Sequence, residues 1–521
     1  MYPKTVSIYD TTLRDGTQGE GISFSVHDKI RIAEKLDAFG IPYIEGGWPG
    51  SNPKDIEFFA EAKRRQWKQA KLCAFGSTCR AQVRPEEDNQ VALLIAAGTP
   101  VVTIVGKSWR FHVEEILGTN VVENLRMIRD TVAYLKSCGR EVIFDAEHFF
   151  DGYKDDPGHA LKAVQAAAES GSDLVVLCDT NGGTLPQEIE NMTRSVVEAL
   201  AVPVGIHTHN DCELGVANAL AGLHAGAVQV QGTINGYGER TGNCNLTSVI
   251  PIVQLKLGIE VVPDLRKLRD LSLFVDDLAN CQHNIRAPFV GATSFTHKGG
   301  LHAHAVAKLS KSYEHISPES VGNFQHIVVS ELSGQSNVIT KARELGFTLE
   351  KGSPAVTAVL REVKRLEHLG YEFEAAEGSL ELLIRRVLSN PEPLWELLEY
   401  HCTYIRSVRN RYETCEATVK LRVGKENYYT VAEGLHGPVN ALDAALRKAL
   451  TPVYPEIEKV TLADYKVRII GSHAGTEART RVLIDSTDHH ENWCTVGVSD
   501  NIIEASWLAL VDSYEYKLRR S

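Results

Sequence analysis

The sequence lacks any apolar run long and uninterrupted enough to cross a membrane as a helix. One uncharged stretch, 89–106, is broken by Gly98-Thr-Pro100 and reads as a helix end followed by a buried strand. The opening residues Met1-Tyr-Pro-Lys-Thr-Val-Ser-Ile8 have no apolar core of a secretory signal. Cysteine is present ten times, but no two residues have the C-x-x-C spacing of a zinc or redox motif. Dispersed, reduced thiols of that kind suit a cytoplasmic protein. A basic stripe is missing too: 55 Lys and Arg stand against 67 Asp and Glu, a net charge of −12, and the basic residues are scattered. This excludes a general nucleic-acid surface, and an anionic substrate would need local positive charge from a metal or a placed arginine.

What is there is ordinary globular composition, 43% hydrophobic and 23% charged, in a chain of 521 residues. A single hydrophobic core stops growing at roughly 250–300 residues, so two or more domains are expected. From the N-terminus, short apolar runs alternate with helix-period stretches, predicting strands over 6–9, 43–45, 71–75, 101–105, 141–144, 174–178, 204–209 and 228–234. The intervals carry helix boundaries of their own. Ser25 can cap and Gly40 can close the first, and Asn52-Pro53 supplies an N-cap and N1 pair for the second. Eight such units fit a (β/α)8 TIM barrel over residues 1–285, with an open doubly wound sheet as the alternative.

The alternation then stops. A Gly- and His-rich segment, 297–305, leads into loops and short helices, and 353–370 and 379–406 read as helix-period runs, so 286–404 is expected to form a helical connecting region. The remainder, 405–521, is expected to be a separate α+β domain. In it Thr-Val recurs at 430–431 and 495–496, each time followed by an Ala-rich helix, which suggests a duplicated βα-type unit.

The chemistry gathers at strand ends. His207 and His209 lie two apart on one predicted strand and therefore face the same side. Asp15 follows the first strand, Asp145 and Glu147 the fifth, Asp179 and Thr180 the sixth, and Glu239 to Asn243 the eighth. A carboxylate, two imidazoles and an amide oxygen, from Asp15, His207, His209 and Asn243, make a mixed N/O set suited to Mn, Mg or Zn. Such an ion would chelate a 2-oxo acid and polarise its carbonyl. Plainer readings suit other residues: Asp10 bracing a turn, Glu239-Arg240 as an ion pair, and His148, His224 and His283 in ordinary packing. In the last domain, the loop Ile470-Gly-Ser-His-Ala-Gly-Thr476 offers backbone N–H groups and hydroxyls, from Gly471, Ser472, Gly475 and Thr476, that could hold an amino-acid carboxylate, or could be only a turn.

Asp10-Thr-Thr-Leu-Arg-Asp-Gly-Thr-Gln18, His207-Thr-His-Asn-Asp211, Gly238-Glu-Arg-Thr-Gly-Asn243 and the tail over 495–507 resemble the 2-isopropylmalate, homocitrate and citramalate synthase family, over nearly the whole chain. The segments at 45–55 and 297–302 are most similar to its citramalate branch. The resemblance implies a catalytic barrel, connecting subdomains and a C-terminal amino-acid-sensing domain in a homodimer. It implies Asp15, His207, His209 and Asn243 as metal ligands, Arg14 stabilising the enolate oxygen of the thioester, Thr180 binding the 2-oxo acid carboxylate, and Glu147 as an active-site acid. His302 and Tyr313 match a His and a Tyr that the connecting segment contributes. The chain departs from the family pattern at His304, where an Asp is usual. The expected reaction is condensation of acetyl-CoA with pyruvate to citramalate, inhibited by isoleucine. The alternative within the family is 2-isopropylmalate synthesis from 2-oxoisovalerate. A lyase running in the reverse direction and a non-catalytic amino-acid sensor are more distant alternatives.

Overall fold

The first helix, Val26–Phe39, starts where the sequence predicts: the Ser25 side chain accepts from the Asp28 N–H while the Asp28 carboxylate accepts from the Ser25 N–H, a reciprocal cap. It ends at Gly40, whose φ of 104° is left-handed and where a Cβ would lie 2.3 Å from Pro263, so only glycine fits. Asn52 caps the second helix, Pro53–Ala62, through the Lys54 N–H. The computed structural model describes residues 2–297, 305–306, 309–327, 335–407, 412–434, 437–470 and 478–520. They fall into two compact units, Met1–Phe295 with His315–Phe324, and Thr296–Glu314 with Gln325–Ser521.

The first unit is a closed eight-stranded parallel barrel. Its strands are β1 (Ser7–Asp10), β2 (Tyr43–Gly47), β3 (Lys71–Ser77), β4 (Val101–Lys107), β5 (Glu141–Glu147), β6 (Leu174–Asp179), β7 (Val204–Thr208) and β8 (Gln229–Gly232), with β8 pairing back to β1. Closure excludes the open doubly wound sheet. Alternation along each strand turns Ile8, Ile44, Val102, Val142 and Ile206 outward into the core beneath the helices. The opposite parity places Tyr9, Cys73, Val101, Ile143 and Val176 together as the inner packing of the barrel. Further along the same inward rows the residues become polar: Glu45, Thr103, Asp145, His207 and Gln231 are all buried. Among the described residues no helix is long and apolar enough to cross a membrane.

In the second unit β9 (Thr296–His297) pairs in parallel with β10 (His326–Ile327), and the helices Gln335–Glu344, Pro354–His368 and Glu377–Ser389 follow. The helix expected over 379–406 stops early. Pro391 and Pro393 cannot continue it, and the chain re-enters as a strand, β11 (Glu396–Ser407), in which half-buried Tyr400 and Cys402 alternate with exposed Glu399 and His401. The expected boundary at 405 therefore falls inside a strand.

Strands β11, β12 (Tyr412–Val423) and β13 (Glu426–Gly434) form one antiparallel sheet, followed by the helix Pro438–Leu450. Strands β14 (Thr461–Ile470), β15 (Arg479–Thr487) and β16 (Asn492–Ser499) form a second, followed by the helix Ile502–Arg520. Leu442, Leu446 and Leu450, four apart, bury the first helix on Ala417, Val419 and Leu421, each leucine contributing about 1.5–3 kcal/mol. The two Thr-Val pairs occupy matching places. Thr430 Oγ1 in β13 donates to the Ala445 carbonyl at 2.7 Å, and Thr495 Oγ1 in β16 donates to the Ala509 carbonyl at 2.8 Å. The repeat is thus a βββα module, larger than the βα unit expected. Strand β14 alternates Tyr465, Val467 and Ile469 with Lys466 and Arg468.

Candidate active site

The β1 end turns sharply because Asp10 accepts from both the N–H and the hydroxyl of Thr12, the bracing role expected of it. Burial pushes the Asp10 carboxyl up to about 7. This turn presents Arg14 and Asp15 to the barrel mouth. Arg14 is held on three sides: Nε donates to Glu45 Oε1 at 2.5 Å, a terminal nitrogen lies 3.4 Å from Asp15 Oδ1, and the guanidinium carbon stands 3.8 Å from the Phe75 ring centre. Glu45 is fixed in turn by the Tyr9 hydroxyl at 2.6 Å, and that hydroxyl also meets Thr103 Oγ1 at 2.7 Å. Behind β2 a buried pair supports the next turn. Lys29 Nζ reaches Asp55 at 2.5 Å and the Gly46 carbonyl at 3.2 Å, while Asp55 accepts from the Trp48 N–H at 2.8 Å.

Three of the four residues expected to hold a metal converge. One atom each from Asp15, His207 and His209 lies within 4.8 Å of the others. His207 Nε2 stands 3.3 Å from Asp15 Oδ2, and the two imidazole centres are 5.2 Å apart. His209 sits one residue past β7, bridged to Asn243 from the β8 loop. Asn243 donates through Nδ2 to the Tyr237 carbonyl at 3.1 Å, which leaves Oδ1 buried and without a hydrogen-bond partner. Gly242 makes this loop possible, since with φ at 95° a Cβ would lie 1.9 Å from the Gly236 carbonyl oxygen. The carboxylate and two imidazoles, with a buried, unpartnered amide oxygen on the residue bridged to His209, are a donor set of the kind that suits a divalent cation.

Electrostatics support the same use. Burial raises the Asp15 carboxyl, but Arg14 and the hydrogen bond from His207 outweigh it and hold the group well below the usual carboxylate range. Burial pushes His209 down to about 4, so near neutral pH its ring keeps a nitrogen lone pair for a cation. Burial also pulls His207 down, yet the Asp15 carboxylate more than reverses this and leaves it above its ordinary value. Burial lifts Asp145 to about 7 against the pull of His207.

These groups open on a cavity of about 630 Å³ that Glu147, Thr180 and Arg240 also line. Thr180 Oγ1 accepts from the His148 N–H at 2.9 Å, which leaves the hydroxyl proton for a ligand. Its carbonyl accepts from Arg240 at 2.8 Å, and Arg240 forks onto Asp211 at 2.7 and 2.9 Å. The Glu239–Arg240 contact is longer, 3.5 Å, so the main ion pair of Arg240 is with Asp211. Glu147 receives a hydrogen bond from Lys107, one strand away. His148, His224 and His283 lie against Asp151, Glu190 and Asp276 respectively.

Lys107, Glu45 and Gln231 were not singled out from sequence. Their signal is parity, since each lies on the inward-facing row of its strand, toward the mouth end. Tyr313 belongs to the second unit and is half-exposed. His302, and Gly471, Ser472, Gly475 and Thr476, lie outside the described residues.

Three family models match the chain in series: HMGL-like over 5–275, homocitrate synthase post-HMGL domain-like over 289–370, and LeuA allosteric (dimerisation) domain over 374–518. The chain is 55% identical over 518 residues to an (R)-citramalate synthase of Aquifex aeolicus, covering 99% of this chain and 98% of the relative. It is 50% identical over 518 residues to an (R)-citramalate synthase of Geobacter sulfurreducens, with the same coverage. To a probable 2-isopropylmalate synthase of Methanopyrus kandleri it is 31% identical over 519 residues, 99% of each chain.

Proposed function

Since this chain belongs to the HMGL-like family of acyl-CoA enzymes, we propose that it is an acyltransferase condensing acetyl-CoA with pyruvate and water to give (R)-citramalate and free CoA. The observation that carries the reading is near-full-length identity of 55% and 50% to proteins of that activity, against 31% for the isopropylmalate branch. A barrel mouth with Arg14, Asp15, His207 and His209 in one cluster supports the chemistry.

A divalent ion held by Asp15, His207, His209 and Asn243 would supply Lewis-acid polarisation of the 2-oxo carbonyl. The chain's own groups do the rest. Thr180, with its oxygen already satisfied by the His148 N–H, donates its hydroxyl proton to the 2-oxo acid carboxylate. Arg14, locked by Glu45 and Phe75, faces the thioester oxygen on which charge develops as the acetyl methyl loses a proton. Glu147 and His302 are the candidates for that proton, and the Lys107 ammonium holds the Glu147 carboxylate in place. The enolate carbon forms a bond to the keto carbon as the C=O π pair moves to the keto oxygen, which takes up a proton to become the tertiary hydroxyl, and water then cleaves the citramalyl thioester to the carboxylate with CoA leaving as the thiol. Placing both substrates in one cavity supplies much of the acceleration, since orientation can be worth about 7–11 kcal/mol.

The reading includes a homodimer and feedback by isoleucine through the C-terminal modules, in keeping with the match to a LeuA allosteric (dimerisation) domain. One experiment tests the substrate: CoA thiol release from acetyl-CoA with pyruvate, 2-oxobutyrate, 2-oxoisovalerate and 2-oxoglutarate in parallel. Pyruvate should be preferred. Strong preference for 2-oxoisovalerate would transfer the assignment to isopropylmalate synthesis.

A further inference from the structure

The inward positions of β8 are Gln229 and Gln231, two carboxamides where a barrel lining is ordinarily Val, Ile or Leu. Gln231 is fully buried, and burying an amide is costly unless both of its ends are hydrogen-bonded. Both are: Nε2 donates to Asp145 Oδ1 at 3.1 Å, and Oε1 stands 2.9 Å from Nδ1 of His207. Asp145, on β5, is itself buried. Three polar residues from β5, β8 and β7 thus form one line across the barrel, ending at a residue of the metal cluster.

The line has a direction. The amide nitrogen of Gln231 faces Asp145 as a donor and its oxygen faces His207 as an acceptor. An amide oxygen only accepts, so the proton of His207 sits on Nδ1. Nε2, 3.3 Å from Asp15 and hydrogen-bonded to it whenever it too carries a proton, is then the nitrogen left to offer a lone pair to a divalent ion. We propose that Asp145 and Gln231 are positioning residues that fix which nitrogen of His207 is offered to a divalent ion, and so set the affinity of the site. The proposal rests on the metal reading of the preceding section. It assigns to Gln231 work that requires no contact with either substrate.

The test is Mn²⁺ binding to the full-length, metal-free protein at pH 8 without substrates, with free Mn²⁺ counted by electron paramagnetic resonance, alongside thermal melting of the same metal-free samples. Gln231→Leu removes the acceptor and should weaken Mn²⁺ binding about 10–100-fold, the usual effect of losing a ligand's outer partner, with turnover recovering at saturating Mn²⁺. In Asp145→Asn/Gln231→Glu the amide donor and the carboxylate acceptor change places, so His207 keeps its acceptor. This double variant should bind Mn²⁺ more tightly than Gln231→Glu alone, which sets two carboxylates side by side. Wild-type protein that binds no Mn²⁺ would overturn the metal reading itself. Wild-type binding with equal affinity in Gln231→Leu would overturn only the relay. If Gln231→Leu does not fold, the double variant decides: binding no tighter than Gln231→Glu, or weakened only in step with melting temperature, makes these residues mere packing and ends the proposal.

Discussion

At the scale of single residues, the site depends on side chains locked before any substrate arrives. Arg14 touches Glu45, Asp15 and Phe75 at once, and a delocalised guanidinium can donate to one carboxylate while its central carbon stands over a ring. Arg14→Lys should therefore lower turnover by roughly two orders of magnitude or more, because a point charge cannot keep that geometry towards a developing oxyanion. The check is kcat in the CoA-release assay. A loss confined to KM would mean that Arg14 only binds substrate. His209 has no such network: its Nδ1 is buried without a partner. His209→Ala should reduce metal affinity by more than the roughly 10–100-fold expected for losing an outer partner, with little change in melting temperature of the metal-free protein. Equilibrium dialysis against Mn²⁺ measures this, and full activity of the variant in metal-depleted buffer would rule the site out. Asp15, His207 and His209 were legible in sequence because strand parity and the strand-end rule both point to one mouth. The buried amide of Gln231 was not, since a strand glutamine looks the same in sequence whether it supports a histidine or only fills space.

At the scale of elements, the barrel was legible and the C-terminal modules only partly so, for a physical reason. Each barrel strand is buried on both faces and bounded by capping residues such as Ser25, Gly40 and Asn52, so apolar runs and boundaries reinforce each other. In the C-terminal modules β11 and β14 are edge strands with much exposed surface, and charges on their open faces blur the alternation. Leu- and Glu-rich β11 looked helical until the prolines at 391 and 393 and its pairing with β12 decided otherwise. The Thr-Val repeat was the sequence trace of a real equivalence, because both threonines tie the last strand of a module to its helix. Thr495→Val and Thr430→Val keep shape and lose that hydrogen bond, so each should cost about 0.5–1.5 kcal/mol. Thr495 is fully buried and Thr430 only partly, so Thr495→Val should be the more costly. Urea unfolding monitored by tryptophan fluorescence compares them, and the opposite order would mean that the two modules are not held together in the same way.

At the scale of the whole molecule, the proposed dimer and the proposed feedback reach beyond either unit. If the connecting segment serves the partner's barrel, inactive Arg14→Ala and Tyr313→Phe chains refolded together should recover activity, because one site of the hybrid holds both native residues. Demonstrated heterodimers no more active than the parents would remove Tyr313 from a shared site. For feedback, the tempting experiment is to cut the chain near 405, but the structure argues against it. That cut falls inside β11, and Val496 of β16 belongs to the same hydrophobic cluster as Val356, Val359 and Leu380 of the preceding helices, so truncation would expose their core. The question belongs to the intact chain and to linkage. An inhibitor acting at a distance changes acetyl-CoA affinity only by binding two states of the protein unequally, and acetyl-CoA must then weaken the inhibitor's binding by the same factor, typically about 5–150-fold. Isoleucine should therefore inhibit CoA release more strongly than leucine or valine, and its affinity, measured by calorimetry, should fall in the presence of acetyl-CoA by the factor that isoleucine imposes on acetyl-CoA. Inhibition by leucine alone would favour the isopropylmalate assignment. Isoleucine inhibition that is strictly competitive with pyruvate and abolished by Thr180→Val would place the amino acid in the barrel and leave the C-terminal modules without the sensing role proposed for them.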